Sequence, residues 1–230
     1  MKTIGLIGGM SWQSSKFYYE YLNELVAQVL GGRHSAKILM SSVDFDEIDQ
    51  LFAQDVWDTI GRLIAAEAHK LQTAGADCIV LATNTIHLVS QQIKVAINIP
   101  FLHIAEATGK TIQEQQLQKV ALLGTRFTME KDFYAAILRD QFGLEVLIPN
   151  KAERDYLQAL IFDELVKGIF TKEAKEKCVT IIKRLQTEGA EGVILGCTEL
   201  PILIPDEVSP IPTFDTTMIH SKTAVDFVLK

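Results

Sequence analysis

The chain has 230 residues, 48% of them hydrophobic and 22% charged, with a formal net charge of −7. That length suits one large domain or two small ones, and the apolar content is ample for a buried core. The acidic balance, with Lys and Arg scattered among Glu and Asp, argues against nucleic-acid partners and anionic membranes. No apolar run approaches the roughly 20 residues that span a bilayer. Three cysteines, Cys78, Cys178 and Cys197, are odd in number, widely spaced and free of any CxxC pattern. They exclude a disulfide scaffold or a thiol-rich metal site and suit a reducing, cytoplasmic setting.

Residues 2–7 read as a strand ending at Gly8-Gly9, and the opening MKTIGLIGGM is too short in apolar residues for a signal peptide. Over residues 11–30, Phe17, Tyr18, Tyr21, Leu22, Leu25, Val26 and Val29 recur at helical spacing, with serines placed to cap the start. The aromatic trio reads as core packing. A second strand over 38–43 leads to Asp44, and 57–73 is helical with Gly75 where a C-terminal cap belongs. Residues 78–82 form a buried strand, a helix begins near Thr85, and 99–103 is a short strand.

The pattern then restarts. A strand over 119–123 ends at Gly124-Thr125, followed by a helix over 130–141, a strand over 144–148, and helices over 152–166 and 173–187. Residues 192–195 are a strand, 211–214 echo the earlier IPFLH, and 217–229 form a closing helix expected to pack on the first lobe.

The restart is literal. Residues 71–85 read LQTAGADCIVLATNT and residues 185–199 read LQTEGAEGVILGCTE, a constant 114 positions apart. In both, a helix ends at a glycine and an apolar strand runs to a small polar residue, Thr83 in one copy and Cys197 in the other. Strands alternating with helices imply βαβ units and parallel sheets. The expected fold is α/β, with two pseudosymmetric lobes, each a parallel sheet flanked by helices. The expected first lobe is residues 1–98 plus 212–230, and the second is 99–211. No linker separates them, so an active site in a cleft between close-packed lobes is expected.

Ligands of parallel sheets bind beyond the carboxyl ends of the strands. Met10, residues 83–85, residues 124–128 and residues 197–199 fall at such ends. Each precedes a helix whose free N–H groups would favour a carboxylate. Asn84, Thr85, Thr125, Thr128 and Thr198 are the candidate hydrogen-bonding residues. The same field is expected to pull the Cys197 thiol below its usual pKa of about 8.5. Cys78 and Cys178 read instead as buried, inert thiols.

GLIGGM is not GxGxxG, and a dinucleotide site is disfavoured. His87, His103 and His220 form no metal-ligand pair and read as satisfied structural histidines. Glu164 and Lys167 lie late in a helix, either on its solvated face or orienting a substrate.

The segments GLIGGM, SVDF, TNTIH, PFLHIAEAT, VALLGTRFTM and GCTEL, in this order, resemble the aspartate/glutamate racemase family across nearly the whole chain. The blocks HSAxxLxxSVDFxEI and LLGTRFTMExDFY carry the likeness to its bacterial aspartate/glutamate subgroup. The resemblance implies a cofactor-independent enzyme, commonly a homodimer, that inverts an amino-acid α-carbon with two cysteines on opposite faces. The second cysteine maps onto Cys197, whereas the first, in a CNT motif, maps onto Thr83. The chain thus departs from the pattern at a catalytic position. An alcohol is a far weaker acid than a thiol, so the expected enzyme is one-sided, with Cys197 as base and the L-enantiomer preferred. Met10, Thr125 and Glu164 are expected to shape the pocket. Two other readings stay open: a single-cysteine decarboxylase or isomerase of the same superfamily, and a non-catalytic dicarboxylate sensor.

Overall fold

The computed structural model describes residues 1–230, which divide into two compact units. Unit 1 comprises Met1–Ile104 and His220–Lys230, and unit 2 comprises Ala105–Ile219.

Unit 1 begins with β1 (Ile4–Gly8), α1 (Trp12–Leu30), β2 (Ile38–Ser42), α2 (Phe45–Ala53), α3 (Trp57–Thr73) and β3 (Cys78–Leu81). A 3-10 turn (Thr85–Val89), α4 (Ser90–Ala96) and β4 (Phe101–Leu102) follow. The sheet is parallel throughout, in the order β2-β1-β3-β4. β1 and β3 are buried at every position, which is why both read as continuous apolar runs rather than alternating ones.

One face carries Ile7, Ile79 and Leu81, packed with Ile60, Ile64 and Ala68 of α3. The other carries Ile4, Leu6, Cys78 and Val80, packed with Tyr18, Leu22 and Val26 of α1. Ala224, Val225 and Val228 complete that second face, so the closing helix, which runs Thr216–Val228, returns to the first sheet. At the tight turn after β1, Gly9 has φ +93° and a Cβ there would run into the Val43 backbone. Only glycine fits that turn.

Unit 2 repeats the plan. α5 (Ile104–Glu114) leads to β5 (Lys119–Gly124), then α6 (Arg126–Glu130), α7 (Asp132–Phe142), β6 (Glu145–Leu147) and α8 (Lys151–Asp163). A 3-10 turn (Leu165–Lys167), α9 (Lys172–Thr187), β7 (Gly192–Gly196), α10 (Leu200–Leu203), a further 3-10 turn (Asp206–Val208), β8 (Thr213–Asp215) and α11 (Thr216–Val228) complete the chain. Its parallel sheet runs β6-β5-β7-β8, the first sheet's order position for position. Ala121, Leu123, Val193 and Leu195 pack against Leu157, Leu160, Ile181, Ile182 and Leu185 of α8 and α9.

Both sheets are parallel and flanked by helices, as the repeat predicts. The boundaries fall later than the expected 98/99 and 211/212. β4 pairs with β3 through Ile79↔Phe101, and β8 pairs with β7 through Val193↔Thr213. Each fourth strand therefore completes the sheet that precedes it, and the division comes only after it. No helix is long and apolar enough to cross a membrane.

Candidate active site

Each sheet has its first strand in the middle, with the chain winding outward in both directions. The reversal of winding falls between β1 and β3 in unit 1, and between β5 and β7 in unit 2. Such a switch point opens a crevice at the carboxyl ends of the two strands. Residues 8–10 and 83–85 flank it in unit 1, and residues 124–128 and 197–199 flank it in unit 2. In unit 2 the strands pass so closely that a Cβ on Gly196 would lie 2.9 Å from the Leu123 carbonyl oxygen.

In unit 1, Thr83 is half-buried and its hydroxyl makes no hydrogen bond within the protein. Its backbone is held from beneath: His87 Nδ1 lies 2.7 Å from the Thr83 carbonyl oxygen. A carbonyl only accepts, so Nδ1 carries the proton. Nε2 is then the lone-pair nitrogen, and it accepts from the Ile104 N–H at 3.2 Å. His220 is fixed likewise, with Nε2–H directed to the Leu102 carbonyl at 2.8 Å and Nδ1 accepting from the Tyr18 hydroxyl at 2.8 Å. His103 packs edge-on to His87, ring centroids 4.6 Å apart. Burial pushes all three rings toward the neutral form, His103 to about 3 and His220 to about 4, with His87 also driven well down.

In unit 2 the side chains converge instead. Cys197 is 9% exposed and Glu199 4%. The Cys197 thiol donates to Glu199 Oε2 at 2.9 Å, and the Thr198 hydroxyl donates to the same oxygen at 2.8 Å. Glu199 Oε1 is buried and has no partner. Burial raises the thiol well above its ordinary pKa, and the Glu199 charge beside it adds to the rise. The N–H groups of Glu199 and Leu200 oppose this, but do not outweigh it. The resting group is a thiol.

That corrects the expectation of a thiol activated by a helix N-terminus. α10 is a single four-residue turn, too short to carry a substantial dipole, and it faces both desolvation and an adjacent carboxylate. The other expected anion sites are also partly closed. α6 spans five residues, Thr125 accepts from the Thr128 N–H at its start, and the Arg126 N–H goes to Gln158. The segment after β3 is a 3-10 turn rather than an α-helix.

The sequence matches the Asp/Glu/Hydantoin racemase family over residues 7–224. The chain belongs to that family. It is 29% identical over 175 residues to a broad-specificity amino-acid racemase of Bacillus subtilis, covering 75% of this chain and 74% of the relative. Among solved structures, it superposes on a candidate Asp/Glu racemase from Yersinia pestis with a TM-score of 0.95 at 44% identity, over 100% of both chains. An aspartate racemase homologue from Pyrococcus horikoshii gives 0.88 at 35%, again over 100% of both. The protein is thus an isomerase, an amino-acid racemase of the Asp/Glu type.

Within this racemase, the expected site residues fall into two groups. Met10, Thr83, Asn84 and Thr85 lie at the switch point of unit 1, with Met10 and Asn84 buried. Thr125, Thr128, Cys197 and Thr198 lie at that of unit 2, where the Thr125 and Thr128 hydroxyls are 3.1 Å apart. Glu164 stands apart as the C-cap of α8. Its carbonyl accepts from Lys167 and Ile169, and no hydrogen bond joins it to Cys197, Thr198, Thr125 or Thr128.

The bond from Cys197 to Glu199 and the hold of His87 on the Thr83 carbonyl add detail to the expected strand-end segment 197–199 and to the expected satisfied structural histidine. Glu199 sits in the GCTEL motif, two places after the cysteine, where an acid in an apolar run was itself the signal. The tethering of Thr83 by His87 had no such signal, because a histidine four residues on in a supposed helix reads as packing.

Proposed function

We propose that this racemase acts on aspartate and/or glutamate, without a cofactor, with Cys197 as the base on one face of the α-carbon and Thr83 on the other. What carries the proposal is the equivalence of the two positions. Each is the residue where the central apolar strand of its unit ends at the switch point, yet one is a thiol with an acid partner and the other an unbonded alcohol.

The chemistry then runs as follows. The Cys197 thiolate takes the α-proton, the Cα–H bond breaks, and its electron pair passes into the α-carboxylate. Preorganised N–H and hydroxyl donors stabilise the charge that develops there; Asn84, Thr85 and Thr198 are the candidates, with Met10, Thr125, Thr128 and Glu164 shaping the pocket. A proton returns from the Thr83 side, relayed from water through its hydroxyl so that no alkoxide is left, giving the mirror image, and the proton held on Cys197 passes to solvent to neutralise the hydroxide. An alkoxide is not accessible near neutral pH, so the reverse abstraction by Thr83 is slow and the L-enantiomer is the preferred substrate. The family resemblance also supports a homodimer, which light scattering would check.

Chiral chromatography of L- and D-aspartate and L- and D-glutamate after incubation tests the proposal. Conversion of an L-substrate faster than its D-partner is expected. The lone thiol favours one rival, a decarboxylase. Carbon dioxide released from substituted malonates, with no conversion of any of the four amino acids, would replace the racemase reading with that one.

A further inference from the structure

In an α-helix the Thr83 carbonyl would accept from the N–H of residue 87. The segment after β3 is instead a 3-10 turn, and the His87 N–H goes to the Asn84 carbonyl at 3.1 Å. The His87 side chain supplies the donor in its place, with Nδ1 at 2.7 Å from the Thr83 oxygen. Unit 2 has no such side chain. The residue 114 positions on is Pro201, which carries no donor at all, and the Leu200 N–H closes the turn onto the Cys197 carbonyl at 3.2 Å. The imidazole therefore belongs to the copy of the repeat that ends in threonine.

The same ring reaches the neighbouring strand end. Its Nε2 accepts from the Ile104 N–H at 3.2 Å, one of the orphan donors at the start of α5. His87 is fully buried, and the rings of Phe101, His103 and His220 close around it at 5.4, 4.6 and 5.7 Å between centroids. A ring fixed at both nitrogens and packed on its sides ties residue 83 to the end of β4. The Thr83 N–H is committed too, to the Leu81 carbonyl at 2.8 Å. Both backbone polar groups of Thr83 are thus pinned within unit 1, and only its hydroxyl is left unengaged.

We propose that His87 is a positioning residue for the inversion step: by holding the Thr83 carbonyl, it sets where the Thr83 hydroxyl stands when a proton is delivered to the α-carbon. His87 gives up no proton itself, since Nδ1–H and the Nε2 lone pair are both in use. The inference rests on Thr83 serving one face of the α-carbon.

The consequence is specific. Removal of the α-proton of the L-substrate by Cys197 does not depend on His87. A carbanion that then takes a deuteron from the Cys197 side returns labelled L-substrate, whereas one protonated from the Thr83 side becomes the D-product. His87 bears on the second outcome alone.

Two variants divide its hydrogen bonds. Asparagine places an amide N–H at the level of Nδ1, so His87→Asn keeps the bond to Thr83 and gives up Ile104. Glutamine places its amide at the level of Nε2, so His87→Gln keeps Ile104 and releases Thr83. L-aspartate and L-glutamate are incubated in D2O, with α-deuteration of recovered L-substrate read by NMR and D-product by chiral chromatography. A displacement of about 1 Å can cost about 100-fold in rate, so His87→Gln should lower the ratio of inversion to deuteration by at least about tenfold. Deuteration itself should stay within about threefold of wild type, and His87→Asn should keep the ratio within about threefold. A ring needed only for folding would lower both processes together and leave the ratio alone. A ratio that falls equally in the two variants, or in neither, would overturn the inference.

Thr83→Val, measured alongside, separates this from failure of the reading beneath it. Full inversion in Thr83→Val would remove Thr83 from the reaction, and His87 with it. Inversion lost in Thr83→Val but kept in His87→Gln would leave Thr83 in its role and overturn the inference about His87. A wild-type protein inert toward both amino acids would end both.

Discussion

Thr83 and Cys197 end equivalent strands in equivalent sheets, yet what lies behind them differs in kind. Behind Thr83 a buried histidine grips the backbone carbonyl and leaves the hydroxyl unengaged. Behind Cys197 a buried carboxylate grips the side chain itself. The first arrangement fixes geometry and holds every proton in place, since His87 and His220 each have one nitrogen committed as donor and the other as acceptor. The second has a proton lying between two heavy atoms and an acceptor oxygen left over. A duplicated fold therefore supplies equivalent strand ends twice, while the residues just beyond each strand give the two ends different partners.

Substitution at the thiol is the harshest test of that contrast. Cys197→Ser should lower α-hydrogen exchange from the L-substrate by more than about 1,000-fold, because an alcohol cannot replace the thiolate. Retention of most activity in Cys197→Ser would place the base elsewhere. Thr83→Cys asks whether the passive position can be made active. It should raise exchange from the D-substrate by about 10- to 100-fold, leaving the L-direction within a few-fold. No change in either direction would remove Thr83 from the reaction.

The histidine side makes a prediction about stability rather than rate. His103 and His220 are neutral in the fold down to about 3 and 4, whereas an unfolded histidine titrates near 6.5. The unfolded chain thus binds more protons below about pH 6.5, so folding stability is full above that value and falls as pH drops toward the folded pKa. Each such histidine adds a slope of about 1.4 kcal/mol per pH unit. Urea denaturation between pH 7 and pH 5 should show this, and His220→Gln should flatten the slope by one histidine's share. An unchanged slope would mean that His220 is not held neutral.

Most of the fold was legible because parallel strands buried on both faces announce themselves. IGLI, CIVL and GVILG are continuous apolar runs, each ending at a small residue. The repeat with its 114-residue offset is matched by identical strand orders. The short strands β4 and β8 were visible, but their sheet membership was not, since pairing of two or three residues leaves no periodic trace. α5 escaped notice because IAEATGKTIQE mixes small and polar residues around a glycine that accommodates the Phe142 ring. At the site, the positions of Thr83 and Cys197 were legible from the repeat, and the electrostatics were not. Whether a helix start lowers a thiol pKa depends on helix length and on neighbouring charge. A four-residue turn and Glu199 reverse the sign of the effect.

The most direct measurement is α-hydrogen exchange in D2O, followed by NMR, with each enantiomer of aspartate and glutamate incubated separately. One thiol with an acid partner and one unengaged alcohol predict that the L-enantiomer of the preferred substrate loses its α-hydrogen much faster than the D-enantiomer. Equal initial rates from the two would contradict the account, because they would require the Thr83 side to abstract a proton as readily as the Cys197 side.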